Sequence, residues 1–481
     1  MKKIFIFFLV FVLFVACTKN LDEYPKSIAA ETFYNNPSEV ESGLNAIYVP
    51  LKSSSLMGGV YQAILESLSD GTYGRGSFSI FNSYELDNTN ITRIGIMWQL
   101  FYQSIKNANI CIQKIPNGKN LTDADKNKYL AEAKFLRGLI YFTMARNWGG
   151  VILRTEINMD SINVGRSSSI DTWTLALADL KDAEQNLPDN PRLIGTPSKL
   201  AAKTVLAEMY LCLQQWQDAR DEVKAVIQSN KFSLVKVTKT SDFNNIYGPE
   251  VLTTSEEIFY LKFSRQGSTY GFTWPMYVHK SGDGYHGAGG WYGIYSDTLL
   301  NPVIKNWNNN DLRKKFNWYP CNIGLGPNTV LNAKYSDPKA TGDSNAGNDW
   351  QWYKFSDVLL MYAEAECRVN RGPNASAMDA LNQVHRRAYG YDPAQTSPVD
   401  FHVNDYDEQN FLELVIKERN YETCFEAKRW LDLKRLGIVK QVILNAKGVT
   451  VADKCLLFPI PVVEMSYNKA LDPVKDQNPG W

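Results

Sequence analysis

Residues 200–228 read LAAKTVLAEMYLCLQQWQDARDEVKAVIQ, and the fold class follows from their spacing. Leu206, Ala207, Tyr210, Trp216, Ala219, Val223 and Val226 recur near three and four apart, which lines apolar side chains along one face of a helix. The small residues Ala207 and Ala219 let two antiparallel helices approach closely. Thr196-Pro197-Ser198 just upstream carries start signals, Pro197 and Ser198, so the run 198–229 reads as a helix pair.

The same three-and-four periodicity extends outward over Ile94–Ile115, Tyr129–Trp148 and Ile170–Leu187. Pro116-Asn117-Gly118, Gly149-Gly150 and Pro188 punctuate these helices. A second pair is expected at Leu359–Ala365, then after the turn Arg371-Gly372-Pro373 at Ala377, Ala380, Leu381 and Val384. The spacings approach those of tetratricopeptide units, which bury their faces only by stacking, so several divergent copies are implied. Between Phe232 and Trp350 the texture changes to Gly, Asn, Asp and aromatics, as in Gly282-Asp283-Gly284 and Asn308-Asn309-Asn310. Loops of this length within a compact chain tend to be functional or disordered, and the aromatic content argues against disorder. The prediction is an all-α, tetratricopeptide-like helical repeat scaffold over about 28–231 and 351–481, carrying a loop-rich, partly irregular ligand-binding region over about 232–350. Both parts belong to a single domain, 17–481.

The chain opens with Lys2 and Lys3, an apolar run from Ile4 to Ala16, and then Cys17. This is the layout of a secretory signal peptide over 1–16. The run is 13 residues, whereas a membrane-spanning helix needs roughly 20. Ala16 before Cys17 resembles a bacterial lipobox, although Phe14 stands where Leu is commonest. Cys17 is therefore the expected lipidation site. Each buried methylene of an acyl chain contributes about 0.8 kcal/mol, so several chains would anchor the protein firmly. Asp22 and Glu23 soon after it fit an export cue to the cell surface.

Lys plus Arg equals Asp plus Glu at 51 each, with no basic stripe, which excludes nucleic acid as the expected partner. Cys111, Cys212, Cys321, Cys367, Cys424 and Cys455 form no CxxC pair and have no nearby His; they read as small buried hydrophobes, with a disulfide still open outside the cytoplasm. His279, His286, His385 and His402 make no spaced ligand set, and no GxSxG, P-loop or Rossmann glycine pattern occurs. No metal, cofactor or catalytic residue is expected. Asp283 between glycines reads as a turn in preference to a calcium ligand. A glycosidase needs two carboxylates facing each other across a cleft. Glu364 and Glu366 lie on different helix faces, and Glu418 with Glu422 is expected to tie helices together through Arg419 and Arg429.

Six separated motifs carry a family resemblance. They are Ala131-Glu132-Ala133-Lys134-Phe135-Leu136-Arg137-Gly138 running to Trp148-Gly149-Gly150; Asp357–Ala365; Ala380–Ala388; Ile416-Lys417-Glu418-Arg419; Glu426 with Arg429-Trp430 and Asp432–Arg435; and Phe458-Pro459-Ile460-Pro461 with Gln477-Asn478-Pro479-Gly480-Trp481. In this order, after a lipobox, they resemble the SusD/RagB family of surface nutrient-binding lipoproteins. One departure is Cys424-Phe425-Glu426-Ala427, where family members often carry Gly after the glutamate; a local packing change is expected there. The resemblance implies a lipid-anchored, surface-exposed protein of the outer membrane, docked on a SusC-like TonB-dependent transporter. Such a protein captures oligosaccharides, or peptides in some cases, and is not an enzyme. A surface glycoside hydrolase is the rival from another class.

Trp274, Trp291, Trp307, Trp318, Trp350 and Trp352 fall in the loop-rich stretch or at its edge, with Tyr270, Tyr277, Tyr285, Tyr292, Tyr295 and Tyr319 interleaved. Rings on loops can stack on the C–H faces of sugars. The competing reading is a core beneath long loops. The resemblance adds the loop before the helix containing Trp98 and Tyr102, here Asp70–Gly76. The candidate ligand-binding residues are Tyr73, Arg75, Trp274, Tyr285, Trp291 and Tyr292.

Overall fold

Residues 199–212 and 216–228 are two helices packed on each other, joined by a turn in which Gln214 takes φ +59°. Ser198 caps the first, its hydroxyl accepting the N–H of Ala201 at 3.3 Å. The computed structural model describes residues 33–266 and 271–481; the signal peptide, Cys17 and Tyr270 lie outside the described residues.

The scaffold helices in chain order are α1 (Pro37–Leu51), α2 (Val60–Leu68), α3 (Thr92–Lys114), α4 (Asp123–Trp148), α5 (Ser169–Asn186), α6 (Lys199–Cys212), α7 (Trp216–Gln228), α8 (Phe355–Asn370), α9 (Ala375–Ala388), α10 (Glu408–Glu422), α11 (Arg429–Arg435), α12 (Val439–Lys447) and α13 (Val462–Tyr467). Consecutive helices stack: α3 on α4, α4 on α5, α5 on α6, α6 on α7, and then α7 directly on α8. The loop-rich residues between α7 and α8 are thus an excursion from a continuous helical stack, which is the mostly helical architecture the periodicity implied.

The sequence motifs have structural reasons. Thr122 and Asp125 form a capping box at the start of α4, as do Ser168 and Asp171 at α5. Gly138 on α4 sits where a Cβ would lie 3.0 Å from the Ala176 carbonyl, so its small size lets α5 cross closely. Beside it Arg137 clasps Asp179 of α5 through two hydrogen bonds of 2.7 and 2.8 Å. At the far end of α4 the Trp148 indole N–H donates to the Pro459 carbonyl at 3.1 Å, and the Asn478 amide donates to the Trp148 carbonyl at 2.9 Å. The tail motifs therefore lock onto α4.

A buried charge network joins α8, α9, α10 and α11. The expected partners of Glu418 and Glu422 need correction. Glu418 binds Arg313 at 2.6 Å and His385 at 3.2 Å, and Glu422 binds Arg387 and Arg313. Arg419 instead binds Asp432 at 2.7 Å, and Arg429 binds Asp70. Adjacent helical residues point in different directions, so Glu418 and Arg419 serve different neighbours. Burial opposes the charge on Glu418, yet Arg313 and then His385 hold its carboxyl down at about 2. Burial likewise opposes charge on Glu422, where Arg387, Lys354 and Arg313 outweigh it and also hold the carboxyl at about 2.

The excursion carries short antiparallel strands: β1 (Tyr73–Gly74), contributed by the scaffold side, β2 (Glu257–Leu261), β3 (Ile294–Asp297), β4 (Trp318–Pro320), β5 (Thr329–Asn332) and β6 (Trp350–Lys354). One sheet runs β1-β3-β5-β4, and β2 pairs with β6. Trp274, Trp307, Trp318, Trp350 and Trp352 are buried beneath these loops as core. Among the described residues no disulfide forms: Cys111, Cys367 and Cys455 are buried and Cys212, Cys321 and Cys424 half-buried, all free. No described helix is long and apolar enough to cross a membrane.

Candidate functional site

The loop after α2 is fixed from beneath. Arg429 of α11 holds Asp70 through hydrogen bonds of 2.8 and 2.7 Å, and the Thr72 hydroxyl donates to the Glu66 carbonyl at 2.5 Å. Gly74 follows at a point where a Cβ would collide with the Phe78 carbonyl, so only glycine fits. The strand this frees pairs with β3 in the register Tyr73↔Tyr295, and the Arg75 N–H donates to the Gly293 carbonyl at 2.8 Å. Residues far apart in sequence thereby share one face.

The second wall is Gly290–Gly293. Trp291, Tyr292 and Gly293 donate backbone N–H groups to the carbonyls of Met276, His279 and Tyr277 at 2.7, 2.8 and 2.7 Å. Tyr292 sits at φ +40°, in the left-handed region, a conformation costing an L-residue about 1–2 kcal/mol. Those three hydrogen bonds hold it there. The result is a Trp291 ring that is 50% exposed yet rigidly based, edge-on to Tyr277 with centroids 5.2 Å apart. Tyr277 in turn meets Phe78 at 5.3 Å. The Arg75 guanidinium lies over the Tyr292 ring at 4.3 Å, and Tyr73 packs beside Tyr295 at 5.4 Å. Burial raises the phenols of Tyr73, Tyr277 and Tyr295 above their ordinary range, so all three stay protonated and can donate to hydroxyls.

Of the six predicted site residues, the structure brings Tyr73, Arg75, Trp291 and Tyr292 together. Tyr285 belongs to a separate stack on the loop between His279 and Trp291. Its ring faces Tyr319 at 4.0 Å, the Tyr319 hydroxyl donates to Asp283, and Asp283 also accepts the N–H groups of Lys280 and Tyr285, making it the turn residue anticipated. Trp274 is a correction: it is 0% exposed and packs against Phe425 at 6.2 Å, because it opens a short helix, Trp274–Val278, that lies inward against α2. Sequence reasoning missed Arg93, whose guanidinium lies over Phe78 at 4.7 Å. Nothing in local sequence marks Arg93, since its place depends on the loop folding back over the start of α3.

A larger cavity, about 760 Å³, lies elsewhere, between α10, α12 and the short helix Pro302–Lys305. Its walls mix aliphatic side chains, including Leu412, Ile416 and Val442, with polar ones such as Arg368, Glu413 and Asn420, and Asp70 and Arg429 lie at the side toward the loop. Its one ring, Tyr421, is already covered by Trp307 in a parallel stack at 4.2 Å. It offers no free aromatic face, so the shallower Trp291 platform is the better candidate for a sugar. The conspicuous acids are engaged in the interior: Glu364 with Arg435 at 2.6 Å and Glu366 with Asn374 at 2.7 Å. Among the described residues no group of His, Cys, Asp and Glu is arranged to hold a metal ion.

A stack of helix pairs with an aromatic and cationic platform on its inserted loops defines a helical-repeat scaffold protein. A family model described as "SusD family" matches residues 259–481, and a second, described as "Starch-binding associating with outer membrane", matches residues 19–211. The chain belongs to the SusD/RagB family. It is similar to SusD-like protein P25 of Formosa agariphila, 24% identical over 522 residues that cover 96% of each chain. Among solved structures it resembles a SusD homolog from Bacteroides thetaiotaomicron, with a TM-score of 0.80, 23% identity, and coverage of 96% of this chain and 100% of that one. A laminarin-binding SusD-like protein aligns with a TM-score of 0.74 and 21% identity over 93% of this chain and 100% of its own.

Proposed function

We propose that this chain is a non-enzymatic lipoprotein of the outer membrane surface that binds an oligosaccharide on the Trp291 platform and passes it to a SusC-like TonB-dependent transporter. The observation that carries this reading is the half-exposed Trp291 ring, edge-on to Tyr277 on a segment that three backbone hydrogen bonds hold next to Tyr292 and the Arg75 strand. A ring held rigidly before binding loses little entropy when it stacks on the C–H face of a sugar. Neutral phenols and guanidinium N–H groups lie around it and can bond hydroxyls. The description of the matching family model and the laminarin-binding relative support a carbohydrate as ligand. Lipid on Cys17 is the proposed tether, holding the lobe at the membrane where a transporter receives its cargo.

Isothermal titration of the purified protein against glycans and peptides, with chromatography of the glycans afterwards, tests the proposal. Binding to an intact glycan without shortened products is expected. Release of shorter sugars would establish a hydrolase, and binding to peptides alone would reassign the ligand. Co-purification with a TonB-dependent transporter after mild detergent extraction tests the partner.

A further inference from the structure

The charge pattern of this platform differs from that of the scaffold beneath it. Several scaffold guanidinium groups are neutralised by carboxylates: Arg137 by Asp179, Arg435 by Glu364, Arg387 by Glu422 and, directly under this loop, Arg429 by Asp70. Arg75 and Arg93 are not. Arg75 lies over Tyr292 and forms no ion pair with any described residue, and its side chain makes no hydrogen bond among them. Arg93 lies over Phe78 and donates only to the Ser77 carbonyl and hydroxyl, at 3.3 and 2.9 Å. Two acids on neighbouring segments are engaged in their own turns. Asp297 accepts the backbone N–H groups of Leu299 and Leu300, and Asp283 is taken by Tyr319 and the N–H of Lys280.

Both cations flank the same rings. Phe78 under Arg93 touches Tyr277, Tyr277 touches Trp291, and Tyr292 follows Trp291 and carries Arg75. A guanidinium held over a ring has its position fixed; that of Arg75 keeps its N–H groups free, whereas Arg93 commits one N–H of each Nη to Ser77 and keeps the rest. That planar fork matches a carboxylate or sulfate in bidentate fashion. Two such groups without an ion-pair partner among the described residues, on rings that touch in series, also favour an anionic ligand over a neutral one.

Resting on the glycan-binding reading above, we infer that the ligand is an anionic glycan, a sugar chain bearing carboxylate or sulfate groups that Arg75 and Arg93 bind while Trp291 stacks on a ring. Titration of the full protein against paired polymers tests this: polygalacturonate and its methyl ester for carboxylate, fucoidan and its desulfated form for sulfate, with laminarin and starch as neutral references. Wild type is expected to bind at least one anionic polymer, and to lose about tenfold in affinity, about 1.4 kcal/mol, when that charge is masked or removed. Arg75→Gln and Arg93→Gln are each expected to weaken binding by a similar factor with an unchanged melting temperature. Affinity should also fall as salt rises from about 0.01 M to about 0.15 M, where the Debye length shrinks from roughly 30 to 8 Å. Neutral polymers bound as tightly as their charged counterparts, or full affinity in Arg75→Gln, would overturn the inference and leave the glycan-binding proposal standing. Failure of wild type to bind any glycan would overturn both.

Discussion

Replacing Glu426 by Gln removes one charge from a fully buried ionic cluster. The carboxylate is 0% exposed and binds Lys334 at 2.6 Å, Lys354 at 2.7 Å and Lys428 at 3.2 Å. Burial opposes its charge, but Lys334, Lys354 and Lys428 together overcome it and hold the carboxyl below the usual range. After the substitution Lys354 keeps Glu422 and Asp357, both at 3.9 Å, whereas Lys334 keeps the Cys424 carbonyl at 3.0 Å and no carboxylate. One ammonium is left buried without a counter-charge, which costs about 3–5 kcal/mol. Urea unfolding followed by far-UV circular dichroism should show the midpoint falling at constant slope. Lys334→Met alone should also destabilise, by weakening the hold on Glu426. The double variant, with both charges gone, should be more stable than the sum of the two losses predicts by about 2 kcal/mol or more. Additive losses, or a Glu426→Gln variant within about 1 kcal/mol of wild type, would refute the view that this cluster is a coupled unit.

Ala427 occupies φ +60° and its N–H donates to Glu66 at 2.8 Å, so Ala427→Gly relieves left-handed strain and should raise stability by about 0.5–1 kcal/mol in the same assay; a loss would show that the methyl group matters more than the strain. Acid stability depends on the depressed carboxyls: Glu418, Glu422 and Asp432 are held at about 2 when folded, against roughly 4 when unfolded. Their stabilisation is complete above about pH 4.5 and lost as pH falls toward about 2, so urea midpoints should drop steeply across that window, and a flat profile there would contradict the assignment. Cys17→Ala should shift the protein from membrane to soluble fractions while leaving glycan affinity in solution unchanged; continued membrane retention would point to another anchor.

Much of the scaffold was legible because helical periodicity is local. The run 200–228 declares two amphipathic helices through its own spacing, and Ser198 declares where the first begins. The ionic partners were less legible. Glu418 and Glu422 read as helix ties, but Arg313 and Arg387, which bind them, come from the excursion and from α9, and no spacing rule connects those segments. The platform was half legible for the same reason. Tyr73 and Arg75 on a glycine-rich loop, and Trp291 and Tyr292 after a glycine run, each stood out locally. Their union depends on the pairing of β1 with β3, a long-range contact that spacing does not report. Trp274 shows the limit clearly: it sits among loop aromatics as Trp291 does, yet one ring is enclosed in the core and the other half exposed.

The affinity of Trp291→Ala for the glycan that wild type binds, measured by isothermal titration alongside a thermal melt, probes the platform itself. The ring is half exposed and rigidly based, so its loss should weaken binding by about tenfold, about 1.4 kcal/mol, with little change in melting temperature. Trp274→Ala, which empties a core position, should instead cost about 3–5 kcal/mol of stability. Unchanged affinity in a folded Trp291→Ala variant would contradict the assignment of this platform as the ligand site.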